Sequence, residues 1–307
     1  MAILETSSKT PQSKSFISAK KLRDSGVAYL FLLPFLLLYG LFTLYPIFQS
    51  LWISLHNWEI VGTNIQFIGM RNYTRLMDDP LFWASLWHTL GFVVLTIPII
   101  GLGLIFALIL NRNVSGIGVF RTLYYVPNVL SVAVIGLIWA RIFASTEAGL
   151  INAILMRFEI EPIPWLHDTA LAMPAVAIAT TWWTVGFPAL VLLAGLQGIN
   201  EELYDAAKVD GANVMQRFRF ITVPGLRRTL AFVSILQVIA SFQIFGQVDL
   251  MTGGGPAGST RTIVYYIWER GFSYWQLGYG AAMAFILFII LLILSIFQLW
   301  LFRDNEG

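Results

Sequence analysis

Apolar runs of membrane-spanning length alternate with shorter polar segments along most of the chain. They lie at about Val27–Leu51, His88–Leu110, Leu123–Phe143, Leu171–Leu196, Leu230–Val248 and Gly280–Leu301, each near the roughly 20 residues a helix needs to cross a bilayer. The pattern predicts an all-α integral membrane protein with six transmembrane helices, and an even number of crossings puts both termini on one side. Pro34, Pro46, Pro98, Pro127, Pro174 and Pro188 fall inside these runs, where neighbouring helices can satisfy the carbonyls that a proline leaves free. Residues 1–26 are polar and rich in Ser and Lys, too long and hydrophilic for the start of a signal peptide. They read as a flexible cytoplasmic tail, followed by a membrane domain over 27–307.

One interior stretch, Asn200–Pro224, departs from the apolar pattern while keeping helical periodicity. Asn200 is placed to cap a helix whose first turn carries Glu201 and Glu202, where acidic side chains favour the dipole, and Leu203, Ala206 and Ala207 mark one apolar face. Asp210-Gly211 breaks that helix. A second pattern follows, with Val214, Phe218 and Ile221 on one side and Arg217 near them, until Pro224 forbids continuation. Two short helices at an angle make a knob for docking. The competing reading, an amphipathic loop lying on the membrane surface, fits poorly with mixed charges and a break at its centre.

Composition agrees with the membrane pattern: 57% hydrophobic residues and 12% charged, with a mean hydropathy of +0.73, exclude an ordinary soluble balance. The placement of Lys and Arg then orients the chain. With the tail inside, thirteen of them fall on the inner side and six, Arg71, Arg75, Arg141, Arg157, Arg261 and Arg270, on the outer side, so the termini and the knob face the cytoplasm. There is no Cys, and His56, His88 and His167 are scattered, so neither thiolate chemistry nor a His-based metal site is expected. A nucleophile elbow, an HExxH motif and a carboxylate pair are all lacking, which predicts a chain that is not an enzyme.

Passage of a solute is then the question. Polar side chains on a spanning helix are costly unless they face a cavity or a neighbour. The fifth run is the most polar, with Gln237, Ser241, Gln243 and Gln247. On a continuous helix of about 100° per residue Gln237 and Ser241 share one face, and Gln243 and Gln247 another. Amides and hydroxyls without an ionised partner suit a neutral polyol, and Trp182 and Trp183 in the fourth run add flat faces on which sugar rings stack. Interhelical hydrogen bonding explains the same residues equally well. Among the outer segments, Trp52, Trp58, Trp83, Trp87, Tyr265, Tyr266, Trp268 and Trp275 fit an interfacial aromatic belt better than a sugar site. Residues 144–170 read as an outer loop with a short helix near Gly149–Phe158. Gly253-Gly254-Gly255-Pro256 forms a turn, and the Lys that a phosphate loop needs is missing after Gly258.

The spacing Asp205-Ala206-Ala207, three residues, Gly211, nine residues, Ile221-Thr222-Val223-Pro224 resembles the EAA loop of permease subunits of bacterial ABC importers, with Asp205 where the family motif has Glu. Thr252 with Gly254-Gly255-Pro256, together with Tyr266, Phe272 and Gly278–Ala282, is similar to the carbohydrate branch (maltose, lactose and glycerol-phosphate type). The resemblance implies a type I importer permease fold in the inner membrane, with residues 198–228 as the cytoplasmic coupling loop. Glu202, Asp205, Ala206, Ala207, Asp210, Gly211, Ile221 and Pro224 would dock the ATPase. Trp182, Trp183, Gly186, Gln237, Ser241, Gln243 and Gln247 fall in the stretches that would line the substrate path. It also implies two cytoplasmic ATPase subunits, a second, paralogous permease and an extracytoplasmic solute-binding protein as partners. Lipid surrounds the chain, nucleic acid plays no part, and ATP and Mg are held by the ATPase, so this chain binds no cofactor. The competing class, a self-sufficient secondary carrier or channel, needs an intramembrane ionisable relay or inverted repeats, and the runs contain almost no charge.

Overall fold

The structure, a computed structural model, describes residues 19–59, 65–112 and 116–302. Residues 1–18 of the expected tail, and Arg303, lie outside the described residues. The chain divides into two units at Trp52/Ile53. In the first, α1 (Ala19–Tyr39) already begins within the expected tail and passes through Pro34, a π-helical turn spans Gly40–Leu44, and α2 (Tyr45–Ser54) follows. The wider turn, in which the Tyr45 N–H reaches the Gly40 carbonyl, ends two residues before Pro46. It takes up the register that a proline without a donor would otherwise break.

The second unit opens on a two-residue antiparallel ladder, β1 (His56–Asn57) with β2 (Gln66–Phe67). Then come α3 (Arg71–Met77), α4 (Pro80–Thr96), α5 (Pro98–Leu110), α6 (Ile117–Val129), α7 (Val132–Ile142), α8 (Leu150–Met156), α9 (Ala172–Thr184) and α10 (Gly186–Gln197). The charged loop holds α11 (Glu201–Val209), α12 (Val214–Arg217), a π-turn at Phe218–Thr222 and α13 (Val223–Gly225). The chain ends with α14 (Arg227–Phe242), α15 (Gly246–Met251), α16 (Ile263–Trp268) and α17 (Leu277–Phe302).

Among the described residues, three helices are long and apolar enough to cross a membrane, Tyr29–Ser54, Pro80–Leu110 and Leu277–Phe302, and the count rises to six if each bent pair is one span. Three of the runs expected as single spans are broken. The Leu123–Phe143 run bends by 98° between α6 and α7, and the Leu171–Leu196 run by 46° between α9 and α10. The fifth run leaves the helix at Gln243 and re-enters one at Gly246. Periodicity places apolar faces without registering such breaks, because a break changes direction and not hydropathy.

Glycines set how closely the broken helices approach. A Cβ at Gly103 on α5 would lie 2.9 Å from Pro188 Cβ on α10, and one at Gly136 on α7 2.7 Å from Leu250 Cβ on α15. The segment 144–170 is organised by Asn152 on α8, fully buried. Its amide donates to the carbonyls of Ala144 and Ile163 and its Oδ1 accepts from the Ile163 N–H and the Trp165 indole. The glycine turn is closed internally: the Tyr265 hydroxyl donates to the Gly253 carbonyl (2.9 Å), and the Thr260 hydroxyl to that of Gly255 (2.7 Å).

Tyr265 and Tyr266 are not belt residues. Both are buried, and Tyr266 donates at 2.6 Å to Oδ2 of Asp79, the N-cap of α4, which also accepts from Tyr279 on α17 at 2.6 Å. Period and composition cannot tell an interfacial tyrosine from one buried on a carboxylate.

Candidate functional site

Two breaks in the helices meet at one cavity of about 450 Å³. Val132, which opens α7 after the 98° bend, and Gln243–Gln247, the stretch between and into α14 and α15, both line it. Irregular backbone at membrane depth is tolerated where it borders a cavity or is bonded by protein. Both conditions hold: the Trp183 indole N–H donates to the Leu130 carbonyl at 3.1 Å, and the Thr262 hydroxyl to the Ile244 carbonyl at 3.0 Å. Gly246 permits the closure, since a Cβ there would lie 2.7 Å from Val132 Cγ2.

The rest of the lining comes from α4 (Phe92), α9 (Thr180, Trp183, Thr184) and α14 (Gln237, Ala240, Ser241). Thr180 and Thr184 donate to the carbonyls of Val176 and Thr180 on their own helix, each at 2.8 Å, which leaves their oxygen lone pairs as acceptors. Ser241 is buried, lies 2.8 Å from Thr96 Oγ1, and accepts from Gln237 Nε2 at 3.1 Å. The lining carries amides, hydroxyls and aromatic faces and, among the described residues, no ionisable side chain. Chemically this is a site that can exchange hydrogen bonds with hydroxyls and stack an aromatic ring on an apolar face.

Gln237, Ser241, Gln243 and Gln247 therefore meet at one cavity, although not as faces of one helix. Gln243 caps α14, and Gln247 returns to the cavity on α15. Of the two tryptophans only Trp183 reaches it. Adjacent residues on a helix point about 100° apart, and Trp182 instead lines an apolar cavity of about 590 Å³ with Phe106, Phe120, Tyr124 and Trp139. Gly186 lies against α6, where a Cβ would come within 3.2 Å of Tyr125 Cδ2, so its place is in helix packing. A smaller cavity of about 230 Å³, bordered by Asn128, shares Thr184, Gln237 and Ala240 with the first. Gln237 thus stands between the two. Asn128, Thr180 and Thr184 are absent from the sequence expectations. Asn128, beside Pro127 in an apolar run, carried a readable signal, whereas the threonines look like ordinary helix hydroxyls.

The charged loop stands apart from this cavity in sequence and has its own geometry. Asn200 Oδ1 accepts from the Glu202 N–H at 3.0 Å and its amide donates to Glu202 Oε2 at 3.2 Å. Asp210 and Gly211 end α11 as a Schellman turn, with Ala212 N–H on the Ala207 carbonyl (2.8 Å) and Gly211 N–H on that of Lys208 (3.1 Å). Gly211 has φ +78°, a conformation natural to glycine. Asn213 and Gln216 restart the chain as a capping box. Asp205 pairs with Lys208 at 2.7 Å, both exposed. Leu203, Ala206, Val209 and Val214 also face outwards, Val209 at 88% exposure, while Tyr204 and Ala207 turn inwards. Ile221 is half-buried in the π-turn. Pro224 does not stop the helix: it sits in the first turn of α13, two residues after the π-turn, where no intrahelical donor is required. The bend of 67° comes at Leu226 instead.

Comparison with known proteins gives the family. The chain is 36% identical over 289 residues (93% of each chain) to the sulfoquinovosyl glycerol transport system permease protein SmoG of Agrobacterium fabrum. It is 36% identical over 280 residues (91% of this chain, 93% of the relative) to the trehalose/maltose transport system permease protein MalF of Thermococcus litoralis. A chain of the bacterial alginate ABC transporter, solved in complex with alginate pentasaccharide-bound periplasmic protein, superposes with a TM-score of 0.82 at 21% identity, covering 94% of this chain and 98% of that one, which shows a common fold. Residues 99–306 match the model of the binding-protein-dependent transport system inner membrane component, and the chain belongs to that family.

Proposed function

We propose that this chain is the transmembrane permease subunit of an ABC importer that moves a sugar or related polyol by alternating access, driven by separate ATPase subunits. The cavity carries the reading: amides and hydroxyls from α9, α14 and the α14–α15 break, one tryptophan face and no ionisable group match a neutral polyol, whose hydroxyls both donate and accept. The names of the relatives, which are sugar transport permeases, support the same class. A secondary carrier would need an ionisable relay, and the cavity lining offers none.

Energy then enters through the loop. α11, with Glu202, Asp205, Ala206 and Ala207 before the Asp210-Gly211 turn, is the coupling helix that fits a cleft of the ATPase, and Ile221 and Pro224 root it to α14. ATP and Mg belong to that ATPase and this chain holds no cofactor. The remaining partners are a second, paralogous permease and an extracytoplasmic solute-binding protein, with both termini and the coupling loop in the cytoplasm of a cell whose inner membrane the chain spans.

Purification of the chain from its native membrane in mild detergent, with mass spectrometry of what accompanies it, tests the assembly. An ATPase and a second permease are expected, and the complex with its binding protein should take up labelled neutral sugar into liposomes only with ATP. Recovery of this chain alone, still moving solute without ATP, would overturn the proposal in favour of the carrier.

A further inference from the structure

We infer that Thr96, at the junction of α4 and α5, is a positioning residue that sets which end of the Gln237 amide faces the cavity, and so makes the site select for a hydroxyl that donates. The inference rests on the import reading above and concerns a residue that does not line the cavity. Thr96 is fully buried. Its hydroxyl lies 3.0 Å from the carbonyl oxygens of both Phe92 and Val93 and 2.8 Å from Ser241 Oγ. Carbonyl oxygens only accept, so two of them at 3.0 Å are favourable neighbours only if the Thr96 proton lies toward them. Thr96 must then accept from Ser241, and the single Ser241 proton is committed to it. Ser241 Oγ has only acceptor capacity left for Gln237, 3.1 Å away, and the group it meets must be the Nε2 amide. Among the described residues the carbonyl Oε1 of Gln237 is left without a partner, at a residue that lines the cavity.

A chain of three side chains from two helices therefore fixes one amide. Gln237 presents Oε1 to the solute, which rewards a substrate hydroxyl that donates and disfavours a fluorine or ether oxygen in its place, since these only accept. In Thr96→Val the shape is kept and the acceptor for the Ser241 proton is lost. That proton turns to Gln237, the amide reverses, and N–H groups face the solute instead. Discrimination between a hydroxyl and a fluorine at the contacted position then falls by about tenfold, the scale of one hydrogen bond.

Two measurements decide it. In the full chain in lipid nanodiscs with 15N-labelled glutamine side chains, the Gln237 amide resonance, assigned by its loss in Gln237→Glu, should shift and exchange faster with water in Thr96→Val and stay in place in Thr96→Ser. In the reconstituted complex, uptake of tritiated trehalose and maltose should be compared with that of their monofluorinated deoxy analogues; the preference for the parent sugar should collapse in Thr96→Val and survive in Thr96→Ser. An unmoved amide resonance, or an unchanged preference in a Thr96→Val complex that still transports, overturns the inference. A wild-type complex that takes up no labelled neutral sugar with ATP counts against the import reading, while the resonance, which needs no sugar, still decides the relay. If Thr96→Val fails to assemble, Ser241→Ala takes its place, since it releases the same amide and must shift the same resonance.

Discussion

The Tyr204 hydroxyl lies 2.9 Å from the Thr222 hydroxyl and ties the first helix of the charged loop to the π-turn that leads into α14. Thr222 is buried and Tyr204 half-buried, whereas most of α11 is exposed, so on the coupling role proposed above a push on α11 would reach α14 through this contact. Tyr204→Phe keeps the ring and removes the bond, a loss of about 1 kcal/mol. Amide exchange over residues 201–212 should accelerate about fivefold, the factor that energy implies, with less solute moved per ATP hydrolysed. Exchange and coupling both equal to wild type would show that force passes elsewhere.

The two adjacent tryptophans should part company. Trp183 lines the polar cavity and bonds the Leu130 carbonyl at the 98° break, while Trp182 packs edge-on against Trp139 with ring centroids 5.7 Å apart. Trp183→Phe retains a flat face and leaves that carbonyl without its donor, at a cost of about 1–3 kcal/mol. Trp183→Ala loses the face as well. Sugar uptake should fall about tenfold or more in Trp183→Ala and partly in Trp183→Phe, and Trp182→Ala should lower thermal stability with little change in the apparent KM for sugar. Equal effects on KM at the two positions would contradict the separation of the cavities.

How much of this was legible in the sequence follows from what hydropathy and spacing encode. The charged loop was, because Asn200, the Asp210-Gly211 pair and Pro224 act locally and each kept its neighbourhood, although a π-turn let the helix run through Pro224. Gln237 and Ser241 were legible as polar residues in an apolar run. The break at Gln243–Phe245 was not, since it is held by Thr262 from a distant segment, and without it Gln247 is assigned to the wrong helix. Thr96 and Asn152 were invisible for the same reason. A buried hydrogen-bonding residue shows its importance only through partners that the fold brings to it.

The Asp79 hub should make the fold sensitive to acid. Burial pushes the Asp79 carboxyl up, but the hydrogen bonds from Tyr266 and Tyr279 and from the backbone N–H groups of Leu81 and Phe82 outweigh it, and the group sits below its ordinary range. Tyr266 is pushed up to about 12, by burial first and by its bond to Asp79. Two arginines face the hub: Arg270 Nε donates to the Tyr266 hydroxyl at 3.0 Å, and Arg75 stands 4.3 Å from the centre of the Tyr279 ring. A carboxyl whose folded value is depressed stabilises the fold fully above its unfolded value, and that contribution disappears as pH falls through the folded value. Thermal unfolding in nanodiscs, followed from about pH 7 down to about pH 3 across the carboxylate range, should therefore show a midpoint that drops with acid. Asp79→Asn, which keeps the shape and removes the charge, should be less stable at neutral pH by about 1–3 kcal/mol, the scale of a hydrogen bond to a charged acceptor, and should lose part of the acid slope. A variant with the wild-type slope would mean that another carboxyl governs acid stability and that the two tyrosines do not depend on the charge of Asp79.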